Sequence, residues 1–440
     1  MSTTVHATIM QTPTSGRLDV QRDVVISVDG SGRIESVEPS AGPDDVDVVL
    51  PPSTVLVPGL VDTHLHAPQW PQLGTGLDLP LETWLFEHTF PLEQRLTDPA
   101  FAAEVWPAMV STLLAHGTTT VAYYATVSVA TTTMLARACV DAGQRALVGR
   151  VAMDHPEGTP EWYRDADAVA GVSASAASIE AIRGIDSELV EPIITPRFAP
   201  ACSDELLTGL GDLAASTGVR VQTHCSESDW EHGYAFERFG RSDTRALDEF
   251  GLVRDHTVLA HGDHLGDDDF DTIRRRGAGV AHCPLSNAYF ANAVFPARRA
   301  MEAEVRVGLG TDVAGGASPS ILRQCAEAVT MSRLLDDGVD ANVEPSFRGV
   351  AGSRLSILEA FWMATAGGAD LLGLDVGVLE AGRHFDAVPV DTARPGSALR
   401  VWDGIDDDER TFEKIVRLAS PADISDVWVS GRRVAGNASI

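Results

Sequence analysis

Short apolar runs recur along the chain and are separated by longer stretches in which apolar positions return every three or four residues. The runs are Val55 to His66, Thr118 to Tyr124, Ala146 to Met153, Pro192 to Phe198, Val219 to His224, Thr257 to His261, Ala278 to Cys283 and Val305 to Asp312. Runs of this length, apolar on both faces, predict buried parallel strands. The intervening stretches, such as Phe101 to His116, Ala174 to Ile185, Asp204 to Thr217 and Ile321 to Leu334, predict helices. Eight strand–helix units fit a (β/α)8 barrel, although the count alone does not separate a barrel from a doubly wound sheet.

The two ends of the chain are patterned differently. Val20 to Leu50 holds short alternating segments (DVVISVDG, RIESVEP, DVDVVL), and HFDAVPVD, TFEKIVRL and DVWVSGRRVAG near the other end look alike in kind. Both sets predict strands of one small β-sandwich built from both termini. The expected division is residues 1–57 and 385–440 for the sandwich and 58–384 for the barrel, with linkers at Pro51-Pro52 and in GVLEAGRH.

Composition narrows the class. The 440 residues are 44% hydrophobic and 22% charged, enough for a large core. The start, MSTTVHATIMQ, has no basic and apolar leader pattern, and no run reaches the apolar length of a membrane helix, so a cytoplasmic protein without a membrane partner is expected. A net charge of -30 argues against nucleic acid as a partner, because tracking phosphates needs a basic surface. Five cysteines without paired CxxC spacing fit reduced thiols. Asp267 to Ala278 is no calcium loop, since Thr272 and Ala278 replace the turn glycine and the bidentate glutamate. GLGTDVAGG lacks the Lys-Ser/Thr of a phosphate loop; its glycines let backbone approach closely.

Polar residues punctuate the strand ends. In HLH, His64 and His66 are two apart on a strand, so both imidazoles can face one cation. Arg197, His224, His261 and Asp312 likewise stand in or beside the ends of their runs, and barrel active sites gather at the C-terminal ends of the strands. Packing alone does not explain so regular a placement.

The segments PGLVDTHLHAPQW, DLPLETWLFEHTFPLE, HGTTTVAYYAT, PIITPRFAPACS, QTHCSES, LAHG, AHCPLSN and VGLGTDVAGG, in this order, resemble the amidohydrolase superfamily and, within it, the guanine deaminases. The resemblance implies a distorted (β/α)8 barrel with the β-sandwich, and one divalent metal ion, usually zinc, held by His64, His66, His224 and Asp312. ITPRFAP has no lysine to bridge a second metal. It also implies hydrolysis of guanine to xanthine and ammonia by a homodimer; 8-oxoguanine, ammeline or another s-triazine is the alternative substrate. Three neutral imidazoles and a carboxylate leave the metal a place for a water made acidic by the charge. Glu227, three residues after His224, is placed to take that water's proton and pass it to the ring. His261 is expected to steady the developing oxygen, and the resemblance gives Asp312 the second proton transfer. Gln69, Arg197 and Phe198 are expected to read the purine, Arg197 by donating to its ring carbonyl and Phe198 by stacking on the base or packing beneath it. His282 and Trp70 are expected as lining at most, Trp84 as packing, and Thr126 to Ala130 and Tyr289 to Phe295 as segments able to form a lid.

Overall fold

A computed structural model describes residues 2–42, 45–291 and 293–436. The eight predicted runs are the eight parallel barrel strands: Leu60–His66, Thr118–Tyr124, Arg145–Gly149 with Val151–Ala152, Val190–Pro192 with Thr195–Pro196, Gln222–Cys225, Val258–His261, Gly279–His282 and Arg306–Leu309. The third strand breaks at Arg150, whose buried guanidinium pairs with Asp165 and donates to the Val127 and Gly171 carbonyls. Backbone bonds from Ile194 N to Arg220 O and from Gln222 N to Ile194 O, each 2.9 Å, tie the fourth strand to the fifth. Asp312 N donates to His64 O (2.9 Å) and Thr63 Oγ1 to Leu309 O (2.9 Å), which brings the eighth strand against the first.

Helices pack outside this ring. Asp204–Thr217 has the predicted bounds: Ser203 accepts from the Leu206 N–H at its start, and Gly218 at φ 69° closes it, a conformation that glycine adopts without strain. Ala168–Arg183 starts earlier than its apolar pattern suggests because Asp167 caps it. Pro99–Ala115 and Ile321–Asp337 match their predictions to within three residues.

Strands from both ends of the chain hydrogen-bond into one 8-stranded sheet, which closes over a core of its own containing Val5, Ile9, Ile26, Leu56 and Phe385. Thr3–Thr14, not anticipated from its pattern, is its longest member along with Arg17–Val28; it pairs antiparallel with Arg17–Val28 and parallel with Thr54–Pro58. Of the DVDVVL segment, Val48–Val49 forms a short strand that pairs parallel with Thr3–Thr14. TFEKIVRL corrects the sequence reading: it is not a strand but part of the helix Asp408–Leu418. Thr411, Phe412, Ile415 and Val416 lie on one buried face at helical spacing, and the Asp407 side chain caps the first turn. Asp386, just before the strand Ala387–Asp391, takes Arg145 of the barrel in a buried ion pair and so docks the sheet on the barrel. Among the described residues no helix is long and apolar enough to cross a membrane, and all five cysteines are buried and free.

Candidate active site

The C-terminal ends of the strands carry His64 and His66 from the first, Arg197 just past the fourth, His224 at the fifth, His261 at the sixth and Asp312 after the eighth. His64 and His66 stand ring to ring at 4.9 Å, and each ring is within about 5 Å of the His224 ring. Nε2 of His66 lies 3.0 Å from Nε2 of His224, and Asp312 Oδ1 lies 3.1 Å from His64 Nε2 and 3.5 Å from His66 Nε2. The sequence grouping is therefore a spatial one.

Local structure aims each group. Asp62 accepts from the His64 and Thr311 N–H groups and from the Thr311 hydroxyl, so one carboxylate pins the segments that carry His64 and Asp312. His224 donates Nδ1–H to the Arg197 carbonyl at 2.5 Å, leaving Nε2 facing the cluster. His261 (φ 76°) and Asp312 (φ 46°) have left-handed backbone, which non-glycine residues adopt rarely and which turns both side chains inward at the strand ends. Gly310 passes so close to His64 that a Cβ there would meet the His64 Cβ at 2.8 Å, in keeping with the close approach read from GLGTDVAGG.

Burial sets the charges. It pulls His64, His66 and His224 well below the ordinary histidine value, with the neighbouring imidazoles adding to the effect, so all three rings are neutral and present lone pairs. Both ring nitrogens of His64 and Nδ1 of His66 are buried without a hydrogen-bond partner, an arrangement that is costly unless something else engages them. Neutral imidazoles converging with a carboxylate on one point are the donor set of a divalent cation; His64, His66 and His224 form one such group, and His64, His261 and Asp312 another. The residues present fit a metal.

Beside this cluster is a pocket lined by Gln69, Arg197, Phe198, Glu227, Trp84 and Phe290, among others. Glu227 is 8% exposed, and burial followed by the nearby Asp312 charge pushes its carboxyl up to about 8. Its Oε1 lies 3.7 Å from His261 Nε2. His261 Nδ1 bonds to Asn287 Oδ1 (2.8 Å), and Asn287 Nδ2 donates to Asp263 (2.7 Å), which fixes the direction of the chain. Phe198 packs against Trp230 with ring centres 5.7 Å apart while lining the pocket. Trp84 packs as expected, buried in the core and against Phe290, and it also lines one side of the pocket. Trp70 packs on the core, and His282 is buried against Phe295. Thr126 and Thr131 are buried and bonded to each other at the start of the helix Val129–Ala142, and Asn292 of the Tyr289 to Phe295 segment is outside the described residues.

Sequence reasoning missed Glu93. It is fully buried and accepts from Arg197 Nη1 (2.7 Å) and Nη2 (3.0 Å) and from Gln69 Nε2 (2.9 Å). Gln69 Oε1 accepts from the Ala314 N–H, so both specificity candidates are held by protein partners. The signal available was Arg197 itself, since a buried guanidinium needs a carboxylate, but many acidic residues could have supplied it. Asn287 and Asp263 were missed for the same reason.

The amidohydrolase family model matches residues 55–434. The chain is 34% identical over 448 aligned residues to a probable guanine deaminase of Schizosaccharomyces pombe, covering 97% of this chain and 82% of that one. It is 32% identical to the human guanine deaminase, covering 95% and 93%. A crystal structure of the C. acetobutylicum guanine deaminase with bound guanine superposes with a TM-score of 0.88 at 28% identity, covering 98% of this chain and all of the other. With the family model spanning the barrel and every strand that carries the clustered histidines and Asp312, the chain belongs to the amidohydrolase family.

Proposed function

We propose that the chain hydrolyses guanine to xanthine and ammonia, using one zinc ion held by His64, His66, His224 and Asp312. The observation that carries the proposal is the convergence of this donor set with Glu227 and His261 on a pocket that also exposes Gln69 and Arg197. A zinc ion, when bound, acidifies a water and supplies a nucleophile near neutral pH.

The chain's residues do the rest. Arg197 donates to the ring carbonyl of guanine, Gln69 offers its remaining N–H and lone pair, and Phe198 covers a face of the base. Glu227 takes a proton from the attacking water and delivers it to N3 as the oxygen bonds to C2. The second water proton passes through Asp312 to the amino group, the C2–N bond breaks, and ammonia leaves a new carbonyl behind. With Nδ1–H engaged by Asn287, the neutral His261 ring turns its Nε2 lone pair to the water and holds it by a hydrogen, becoming a donor to the developing oxygen only once protonated. Residues 1–57 and 385–440 serve as a supporting unit for the barrel of residues 58–384. A cytoplasmic homodimer goes with this reading, and light scattering of the purified protein tests the assembly.

The test is ammonia release by zinc-loaded protein on guanine, 8-oxoguanine, ammeline, cytosine and adenine in parallel. Turnover confined to guanine supports the reading. Inert guanine beside a reactive triazine or oxidised purine transfers the chemistry to another heterocycle.

A further inference from the structure

Arg197 is the only guanidinium or ammonium group among the described residues lining the pocket, and it does not face the ligand as a free cation. Glu93 meets it through two parallel N–H···O bonds, with both side chains almost wholly removed from water (3% and 0% exposed). The Phe90 ring lies under the guanidinium at 4.8 Å. The same Glu93 carboxylate fixes which end of the Gln69 amide is nitrogen: Nε2 points to Glu93 and Oε1 to the Ala314 N–H. This leaves the amide one N–H and one lone pair for a ligand, in a set order.

We propose that Glu93 is a positioning residue that sets the charge preference of the pocket: by neutralising Arg197 and orienting Gln69 it selects a neutral purine base and disfavours a purine anion. The inference rests on the guanine reading of the site and deepens it. Guanine is neutral near neutral pH, whereas xanthine, with two ring carbonyls flanking ring N–H groups, is a much stronger acid. A pocket with an unpaired buried arginine would hold the xanthine anion; the Glu93–Arg197 pair removes that attraction and favours product release. The other charged or titratable groups facing this region do not replace the missing cation. A bound divalent ion would bring two positive charges, which the Glu227 and Asp312 carboxylates offset, and the Tyr124 and Tyr163 phenols near Arg197 are pushed well above their ordinary value by burial.

The experiment measures equilibrium binding of xanthine and of hypoxanthine, a purine without the leaving amino group, to the zinc-loaded wild type, Glu93→Gln and Glu93→Asp at pH values on either side of xanthine's ionisation. The wild type is expected to lose xanthine affinity as the anion forms. Glu93→Gln, which keeps the shape and removes the charge, is expected to raise the xanthine-to-hypoxanthine affinity ratio by about tenfold or more at the higher pH, as one charge at close range predicts. Glu93→Asp, which keeps the charge, is expected to keep the wild-type ratio. Equal weakening of both ligands in Glu93→Gln, or an unchanged ratio, overturns the proposal. If Glu93→Gln does not fold, the wild-type series still decides, since xanthine affinity that strengthens as its anion forms is incompatible with a neutralised Arg197. Guanine turnover by the wild type is read separately: its absence beside a shifted binding ratio sinks the guanine reading and leaves the role of Glu93 standing.

Discussion

Replacing Glu227 by glutamine removes a base while preserving its volume. The carboxyl sits 8% exposed in the pocket, its own backbone N–H is anchored by Glu231 at 2.8 Å, and His261 Nε2 is 3.7 Å from Oε1. A positioned general base contributes about 10²- to 10⁴-fold, so the expected loss in kcat is about a thousandfold, or about 4 kcal/mol of barrier. Metal content is expected to stay unchanged, because Glu227 belongs to neither of the donor groups. The pH dependence follows from its state. Only the deprotonated carboxylate accepts a proton, and burial raises the group to about 8, so kcat/KM rises with pH below that value and levels above it. A divalent cation among the histidines favours the carboxylate and moves this limb to lower pH, whereas the Asp312 charge works against it and holds the limb up. The acid limb is expected to vanish in Glu227→Gln. Stopped assays across pH, with metal analysis of the same samples, check each point. A glutamine variant within tenfold of wild type with its zinc intact would refute the assignment of Glu227 as the base.

Chelation of the metal is expected to abolish ammonia release and lower the melting temperature, and added zinc to restore both, since a ligand bound to the folded state alone stabilises it by mass action; calorimetry with and without chelator measures this. Gly310→Ala places a methyl group 2.8 Å from the His64 Cβ, so zinc affinity is expected to fall by tenfold or more, on the scale of about 1.4 kcal/mol per decade, read by competition with a metal indicator. Phe412→Ala, which empties a fully buried site against Phe361 (ring centres 4.9 Å apart), is expected to destabilise by about 3–5 kcal/mol in denaturant titration while leaving the KM for guanine unchanged in the remaining folded protein.

The eight barrel strands and the residues at their ends were legible because both signals are local. A strand buried on two faces must be apolar throughout, so a histidine, arginine or aspartate at its end interrupts the pattern where the chain emerges from the core. The resemblance then gave these interruptions chemical roles. TFEKIVRL misled because phenylalanine, isoleucine and valine favour strands, while its true signal, one apolar stripe at helical spacing, needs the surface it packs on to be recognised. Thr3–Thr14 was overlooked because its parallel partners, Val48–Val49 and Thr54–Pro58, lie far along the chain.

By itself the sequence determined the order of the strands, the polar residues that stand at their ends and the absence of a lysine in ITPRFAP. Only the tertiary structure decided which carboxylate meets Arg197, which way the Gln69 amide faces, and that Asn287 and Asp263 stand behind His261. Glu93 and Arg197 are 104 residues apart, and with 63 acidic residues in the chain nothing local distinguishes Glu93 as the partner. Secondary structure is written in neighbouring residues through the period of their burial. The charge and polarity of a buried pocket depend on groups brought together across the fold, where a single unpaired charge is too costly to leave and the backbone path chooses what satisfies it.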